Sequence, residues 1–182
     1  MPELLARHSV PGAQIAVIDQ GAVAWCGSYG FADLSLSRPV TDRTLFNVGS
    51  VSKTVAAWGV LALVDARADL ELDSPVERFL TRWHIPESEF DANAVTVRRL
   101  LNHTSGLSVL PASESFTYPS SLEGILSQSY GAFGRFRLVR APGTLFEYNN
   151  GNYTLLELLI EEVTGSKFST YMRQVVFEPL GM

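Results

Sequence analysis

Cysteine is almost absent from this 182-residue sequence, because Cys26 is the only one. An intramolecular disulfide and a cysteine-rich metal cluster are therefore excluded. His8 and His84 stand alone, without the spacing of metal ligands. The sequence also lacks a Gly-x-Ser-x-Gly elbow and a glycine loop that could cradle phosphate. We expect neither a metal nor a cofactor.

Clustered positive charge and long apolar runs are missing as well. The formal net charge is −5, and the 14 basic residues are scattered along the chain, so nucleic acid and anionic lipid are not expected partners. No stretch approaches the roughly 18 apolar residues of a membrane span. The first residues lack the basic start and apolar run of a signal peptide, and cellular location stays open.

Strand-like sequence is confined to the beginning of the chain. Residues 13–18 and 22–25 are rich in strand-forming residues and flank a turn that contains Gly21, a pattern that predicts a β-hairpin. Residues 27–42 are predicted to form a loop. About 140 residues of mostly helical sequence follow, so we predict an α/β (α+β) fold class. A lone hairpin is marginally stable at best, and the sheet therefore looks unfinished.

The long apolar stretch from Val51 to Val64 predicts a helix that is buried on nearly every face, at the centre of a domain. Residues 107–140 have weak periodicity, and their loops are predicted to shape a pocket. Shorter helices are predicted after Asp73–Pro75 and at residues 96–101, 122–128, 153–163 and 168–176.

Ser50 and Lys53 lie at the start of this apolar stretch. A serine hydroxyl is a weak nucleophile until a neighbouring base accepts its proton, and residues three apart on a helix share one face. The spacing alone is a weak signal, because a lysine on an apolar helix can equally extend along a surface edge. However, Lys53 and Lys167 are the only lysines in the sequence. The position of this scarce residue favours a role in catalysis.

Three segments together carry a family resemblance. Residues 46–54 read FNVGSVSKT, residues 100–107 read LLNHTSGL, and residues 142–150 read PGTLFEYNN. In content, order and spacing they resemble the motifs of class C β-lactamases and of related DD-peptidases and serine esterases. The resemblance covers almost the whole chain and implies a β-lactamase/transpeptidase-like fold.

The resemblance also implies roles for individual residues. Ser50 would be the acylated nucleophile, Lys53 its proton partner, Tyr148 a general base or proton shuttle, and Asn150 a hydrogen-bond donor to the substrate. Which of Lys53 and Tyr148 deprotonates Ser50 stays open, since coupled groups titrate as a unit. Without the resemblance, residues 148–151 read as a polar turn before a helix that Asn150 or Asn152 caps.

The implied function is that of a serine hydrolase that forms an acyl-enzyme on Ser50. Its substrate would be a β-lactam, a D-amino-acid peptide or a carboxylic ester. One alternative is a Ser-His-Asp mechanism with His103 and either Ser50 or Ser105. The other is a non-catalytic ligand-binding module or an inactive fragment of such an enzyme.

The third motif of the resembled family, a Lys-Thr-Gly type sequence on a strand beside the nucleophile, is absent from the sequence. We therefore expect residues 1–45 to form the N-terminal hairpin part of an α/β domain and residues 46–182 to form a helical domain with the site motifs. The remaining strands of the sheet would be missing. Such a chain is predicted to be poorly active alone, and either to aggregate or to pair with a complementing C-terminal half.

Overall fold

A computed structural model describes residues 1–111 and 117–182, which form two compact units, Met1–Gly49 and Ser50–Met182. The predicted division at residues 45–46 stays a prediction. Residues 112–116, a part of the predicted pocket-shaping stretch 107–140, lie outside the described residues.

The first unit is a small antiparallel sheet in the order β1-β2-β3. At the β1–β2 turn, Gln20 and Gly21 both have positive φ, +47° and +78°, as a two-residue hairpin turn of the primed type requires. Asp19 pairs with Ala22 across this turn. The elements are α1 (Pro2–Arg7), β1 (Gly12–Asp19), β2 (Ala22–Asp33) and β3 (Arg38–Pro39).

The prediction that residues 27–42 form a loop is wrong for residues 27–33 and 38–39, which lie in strands. Strand β2 continues to Asp33, and β3 pairs with it through Phe31–Pro39 and Asp33–Arg38. The glycines in this part of β2 suggested a loop, but the pairing of Gly27 with Ile15 is continuous with the hairpin ladder. Backbone pairing therefore overrides the weak strand propensity of these residues.

The second unit is helical. Its longer helices, α2 and α5, have 16 and 15 residues. Short 3₁₀ turns connect the helices of the described residues at Val76–Phe79, Ala92–Ala94 and Gly131–Phe133. The helices are α2 (Val51–Ala66), α3 (Val97–Leu101), α4 (Leu122–Ser127), α5 (Asn150–Thr164), α6 (Phe168–Met172) and α7 (Glu178–Leu180).

The most buried helix is α5, and the prediction that α2 is buried on nearly every face is wrong. In α2 only Gly59, Val60 and Leu63 are buried, whereas Trp58 and Leu61 are 47% and 45% exposed. The described residues cover one face of α2 and leave the rest of its apolar surface in contact with solvent. The fully buried apolar residues of α5 are Leu155, Leu156, Leu158, Leu159 and Ile160.

Side-chain caps begin three of the helices. The Thr96 side chain accepts a hydrogen bond from the Arg99 N–H at α3, and Ser121 caps α4, as their residue types predict. At α5 the cap is Asn149, which accepts from the Gly151 N–H. The alternative expectation of a cap at Asn150 or Asn152 is therefore wrong.

The C-terminal helix is interrupted. The predicted helix at 168–176 corresponds to α6 and most of a π-helical turn at Arg173–Phe177, and α7 follows that turn. The Tyr171 hydroxyl donates a 2.9 Å hydrogen bond to the Gly59 carbonyl, which fixes α6 against α2. Within residues 1–111 and 117–182, no helix has the length and apolarity needed to cross a bilayer.

At Gly106, the loop after α3 comes close to the backbone of Arg140. The φ of Gly106 is +76°, and a Cβ there would overlap the Arg140 carbonyl oxygen. We expect Gly106→Ala to lower the free energy of unfolding by about 1–2 kcal/mol for the left-handed backbone and by about 1–3 kcal/mol more for the overlap. Urea unfolding measures the loss.

The matched control is Gly131→Ala, because Gly131 has a φ of +54° but open space around it. The free energy of unfolding of Gly131→Ala should fall by only about 1–2 kcal/mol, which is the cost of the left-handed backbone. Equal losses for the two variants would contradict the predicted close approach at Gly106.

Candidate active site

Ser50 immediately precedes α2, and its hydroxyl faces the side chain of Lys53. The Lys53 Nζ donates a 3.4 Å hydrogen bond to Ser50 Oγ. The helical backbone creates this contact, because positions i and i+3 lie on one face. The Lys53 side chain is half-buried, whereas Ser50 is exposed.

Tyr148 reaches the same hydroxyl from a distant part of the chain. Its phenol donates a 2.7 Å hydrogen bond to Ser50 Oγ across a separation of 98 residues. The Lys53 Nζ lies 4.9 Å from the centroid of the Tyr148 ring. The structure thus brings together the three residues that the sequence predicted to act on one proton.

Asn150 joins the cluster as the first residue of α5. Its Oδ1 accepts a 2.8 Å hydrogen bond from Lys53 Nζ, so the contact ties α5 to α2. The amide NH₂ of Asn150 has no partner among residues 1–111 and 117–182. This free donor is compatible with the predicted hydrogen bond to substrate, which stays a prediction.

The pKa of the Tyr148 phenol is lowered from its ordinary value. Hydrogen bonding to the Lys53 ammonium is the largest cause and the hydrogen bond to Ser50 is the second, while burial acts in the opposite direction. The ordinary pKa of a tyrosine is about 10. Tyr148 therefore forms phenolate, the species that can accept a proton, at a lower pH than a free tyrosine does.

His103 lies against the Tyr148 ring, with 4.6 Å between the ring centroids, and is only 9% exposed. Its Nδ1 accepts a 3.2 Å hydrogen bond from the backbone N–H of Asn149. A backbone N–H can only donate, so the imidazole is neutral and carries its proton on Nε2. Burial first and the Lys53 charge second lower the pKa of His103, which favours this neutral form.

Asn149 is a site residue that the sequence analysis missed. Its side chain is 1% exposed and makes four hydrogen bonds. It accepts from the N–H groups of Gly151 and Leu110 at 2.9 and 3.2 Å. It donates to the carbonyls of Leu107 and Ser108 at 3.1 and 2.8 Å. Asn149 thereby fastens the loop after α3 to the start of α5.

Asn152 and Ser105 extend this buried polar network. The Ser105 hydroxyl donates a 2.8 Å hydrogen bond to Asn152 Oδ1 and accepts one from the Leu107 N–H at 3.2 Å. The Asn152 amide lies 3.4 Å from His103 Nδ1. Three asparagines within four residues were the signal in the sequence, since buried asparagines need satisfied partners.

The geometry does not support a Ser-His-Asp arrangement. The partners of Ser50 Oγ within the described ranges are Lys53 and Tyr148. Ser105 bonds to Asn152, and no carboxylate in that part of the chain bonds to the His103 ring. A triad needs a serine–histidine bond and an orienting carboxylate.

The cluster is open on one side. Tyr148 is 47% exposed, and Val51, which follows Ser50, is 63% exposed. The residues beside the Ser50 hydroxyl are therefore accessible to solvent.

Comparisons with known proteins identify the family and the fold. The Beta-lactamase family profile matches residues 1–182. Esterase EstB of Burkholderia gladioli is 30% identical over 99% of this chain and 48% of its own. The octameric penicillin-binding protein homologue from Pyrococcus abyssi superposes with a TM-score of 0.83 at 32% identity, covering 99% of this chain and 41% of that one.

A third relative is the D-amino acid amidase from Ochrobactrum anthropi, solved in complex with D-phenylalanine. It has a TM-score of 0.76 at 29% identity, over 99% of this chain and 48% of its own. The chain thus spans less than half the length of these relatives. The β-lactamase/transpeptidase-like fold class predicted from the sequence is confirmed, and the chain belongs to the Beta-lactamase family.

Proposed function

We propose that this chain carries the nucleophile and the proton-transfer groups of a serine hydrolase that forms an acyl-enzyme on Ser50. The observation that carries the proposal is the pair of contacts to Ser50 Oγ, 2.7 Å from the Tyr148 phenol and 3.4 Å from Lys53 Nζ. The contact with the Tyr148 phenol is within the distance that proton transfer from a nucleophilic hydroxyl requires, and the longer contact places the Lys53 ammonium beside the same oxygen.

Acylation begins when Tyr148, as phenolate, takes the proton of Ser50. The Ser50 oxygen bonds to the acyl carbon, the bond from that carbon to the leaving group breaks, and the proton passes to the leaving group. Water then attacks the acyl-enzyme by the same route in reverse, which releases the acid and restores Ser50. The Lys53 ammonium, which lies beside the Tyr148 ring, stabilises the phenolate.

Lys53 and Asn150 also orient each other. The 2.8 Å bond to Asn150 Oδ1 holds the Lys53 ammonium near Tyr148. The same bond uses Oδ1 and leaves the NH₂ of Asn150 available as a donor. That NH₂ would donate a hydrogen bond to the carbonyl or amide oxygen of a bound acyl substrate.

The substrate class follows from the chemistry of an acyl carbon. The three relatives are named as an esterase, a penicillin-binding protein homologue and a D-amino acid amidase. For this chain we propose a carboxylic ester, a D-amino-acid peptide or amide, or a β-lactam. Each would leave an ester on Ser50.

We further propose that a complementing C-terminal half supplies the second wall of the cleft. The support is the exposed apolar surface of α2, with Trp58 and Leu61 about half exposed, together with the open site and the greater length of the relatives. Exposed contiguous apolar surface of this kind is typical of a surface that another segment covers.

Covalent labelling tests the nucleophile. We expect incubation with a penicillin or an alkyl fluorophosphonate to add the mass of the acyl or phosphonyl group to Ser50, as located by peptide mass spectrometry. Ser50→Ala should abolish the adduct. Ser52→Ala, which removes a neighbouring exposed serine, should leave it intact.

No adduct from either reagent would contradict the enzyme proposal and favour the non-catalytic binding module. Labelling that persists in Ser50→Ala would show a different nucleophile.

Titration tests the coupling of Lys53 and Tyr148. Lys53→Met removes the largest cause of the lowered phenol pKa, so the Tyr148 transition should move to higher pH. Ultraviolet difference titration measures it after subtraction of the Tyr148→Phe curve. Lys167→Met removes the other lysine of the sequence and should not move it. An unchanged transition in Lys53→Met would contradict the coupling.

The turnover rate of the chain alone tests the proposal that a complementing half supplies the second wall of the cleft. Losing one oxyanion donor costs about 10²–10³ in rate, and a missing wall adds to this. We therefore expect the 182-residue chain to hydrolyse nitrocefin and p-nitrophenyl esters far more slowly than ordinary enzymes do. Ordinary turnover by this chain alone would rule out the need for a complementing half.

A further inference from the structure

His103 adopts a backbone conformation that is uncommon for its residue type. Its φ is +60°, in the left-handed region, where histidine and asparagine are more frequent than most residues. Such a conformation has a cost and persists where the surroundings require it. Here the surroundings are the segment that carries Tyr148.

Two hydrogen bonds from backbone N–H groups link His103 to the residues on either side of Tyr148. The Glu147 N–H donates to the His103 carbonyl at 2.8 Å. The Asn149 N–H donates to His103 Nδ1 at 3.2 Å. A single residue thus fixes the backbone before and after the phenol.

The His103 ring also supports the phenol directly. It lies at 4.6 Å from the Tyr148 ring, at 5.5 Å from Tyr153 and at 5.9 Å from Phe146, measured between ring centroids. These aromatic contacts limit the directions in which the Tyr148 ring can tilt.

We propose that His103 is a positioning residue, which holds Tyr148 against Ser50 and Lys53 by accepting the Asn149 N–H at Nδ1. The inference rests on the proposed function, since it concerns how that site is held. His103 does not exchange a proton with the substrate in this account, because its Nδ1 is already occupied and Ser50 bonds to other residues.

The proposal names the acceptor at Nδ1, because the aromatic contacts of the imidazole are lost in any variant that is not aromatic. In His103→Asn, the Oδ1 falls near the position of Nδ1, and asparagine tolerates a positive φ. His103→Leu has nearly the same size and shape as His103→Asn but offers no acceptor. The two variants therefore differ in the acceptor that the proposal names and also in their tolerance of the positive φ. His103→Gly, which lacks the acceptor and carries no strain at positive φ, is therefore measured beside them.

The readout is the rate at which the 182-residue chain is labelled at Ser50 by an alkyl fluorophosphonate, measured against pH. Misplacement of a reacting group by about 1 Å costs about 10² in rate. We expect His103→Leu to label about 10–10² times more slowly. We expect His103→Asn, which loses the ring contacts but keeps the acceptor, to label faster than His103→Leu and closer to the parent rate.

The pH dependence separates positioning from a general loss of folding. The titratable groups that face Tyr148 are Lys53 from α2, Tyr153 from α5 and His103 itself, and Arg140 pairs with Glu147 beside it. When Tyr148 moves away from Lys53, its phenolate forms at higher pH. The rising limb of the labelling rate should therefore shift upward in His103→Leu and stay in place in His103→Asn.

Three outcomes would overturn the inference. His103→Leu could label like the parent chain, or His103→Asn could be as slow as His103→Leu, or the rate could fall with no shift of the limb. Failure of the parent chain to label at Ser50 would instead overturn the proposed function itself. If His103→Leu does not fold, His103→Gly removes the acceptor without backbone strain. The shift in the rising limb of its labelling rate against pH then tests the inference.

Discussion

A single hydroxyl, that of Ser50, has to meet an ammonium and a phenol at once, and the rest of the second unit is arranged around this requirement. The ammonium is supplied locally, because α2 places Lys53 one turn beyond Ser50. The phenol comes from Tyr148, 98 residues away, so its position depends on tertiary structure. Asn150 connects the two parts, since it starts α5 and accepts the Lys53 hydrogen bond.

The distant half of the site is held by buried polar groups. Asn149 and Asn152, at the start of α5, bond to the loop after α3 and are at most 1% exposed. Polar groups in such positions are costly when unpaired, and here each amide has partners. A network of this kind has one satisfied arrangement, whereas an apolar contact tolerates sliding. It is therefore suited to hold a phenol within a fraction of an ångström.

Sequence patterns predicted the local features well and the tertiary ones poorly. The Ser50–Lys53 contact follows from helical spacing, and the predicted helices at residues 96–101 and 122–128 are found as α3 and α4. Tyr148 entered only through the family resemblance, because no period relates residues so far apart. The roles of these residues stay predictions. The bonds that His103 accepts from Glu147 and Asn149 come from backbone N–H groups, so the identity of those two donor residues gives no sequence signal that His103 is their acceptor. The burial of α2 was overestimated because apolar composition shows what a helix needs to bury and does not show what covers it.

The central claim is that Lys53 and Tyr148 act on Ser50 as one unit, and a double-mutant cycle on the labelling rate tests it most directly. Rates are measured for Lys53→Met, for Tyr148→Phe and for the double variant with one fluorophosphonate. Each single variant should lose about 10²–10⁴ in rate. Because groups that act together are strongly non-additive, the double variant should be little slower than the slower single variant. Losses that multiply in the double variant would contradict the account.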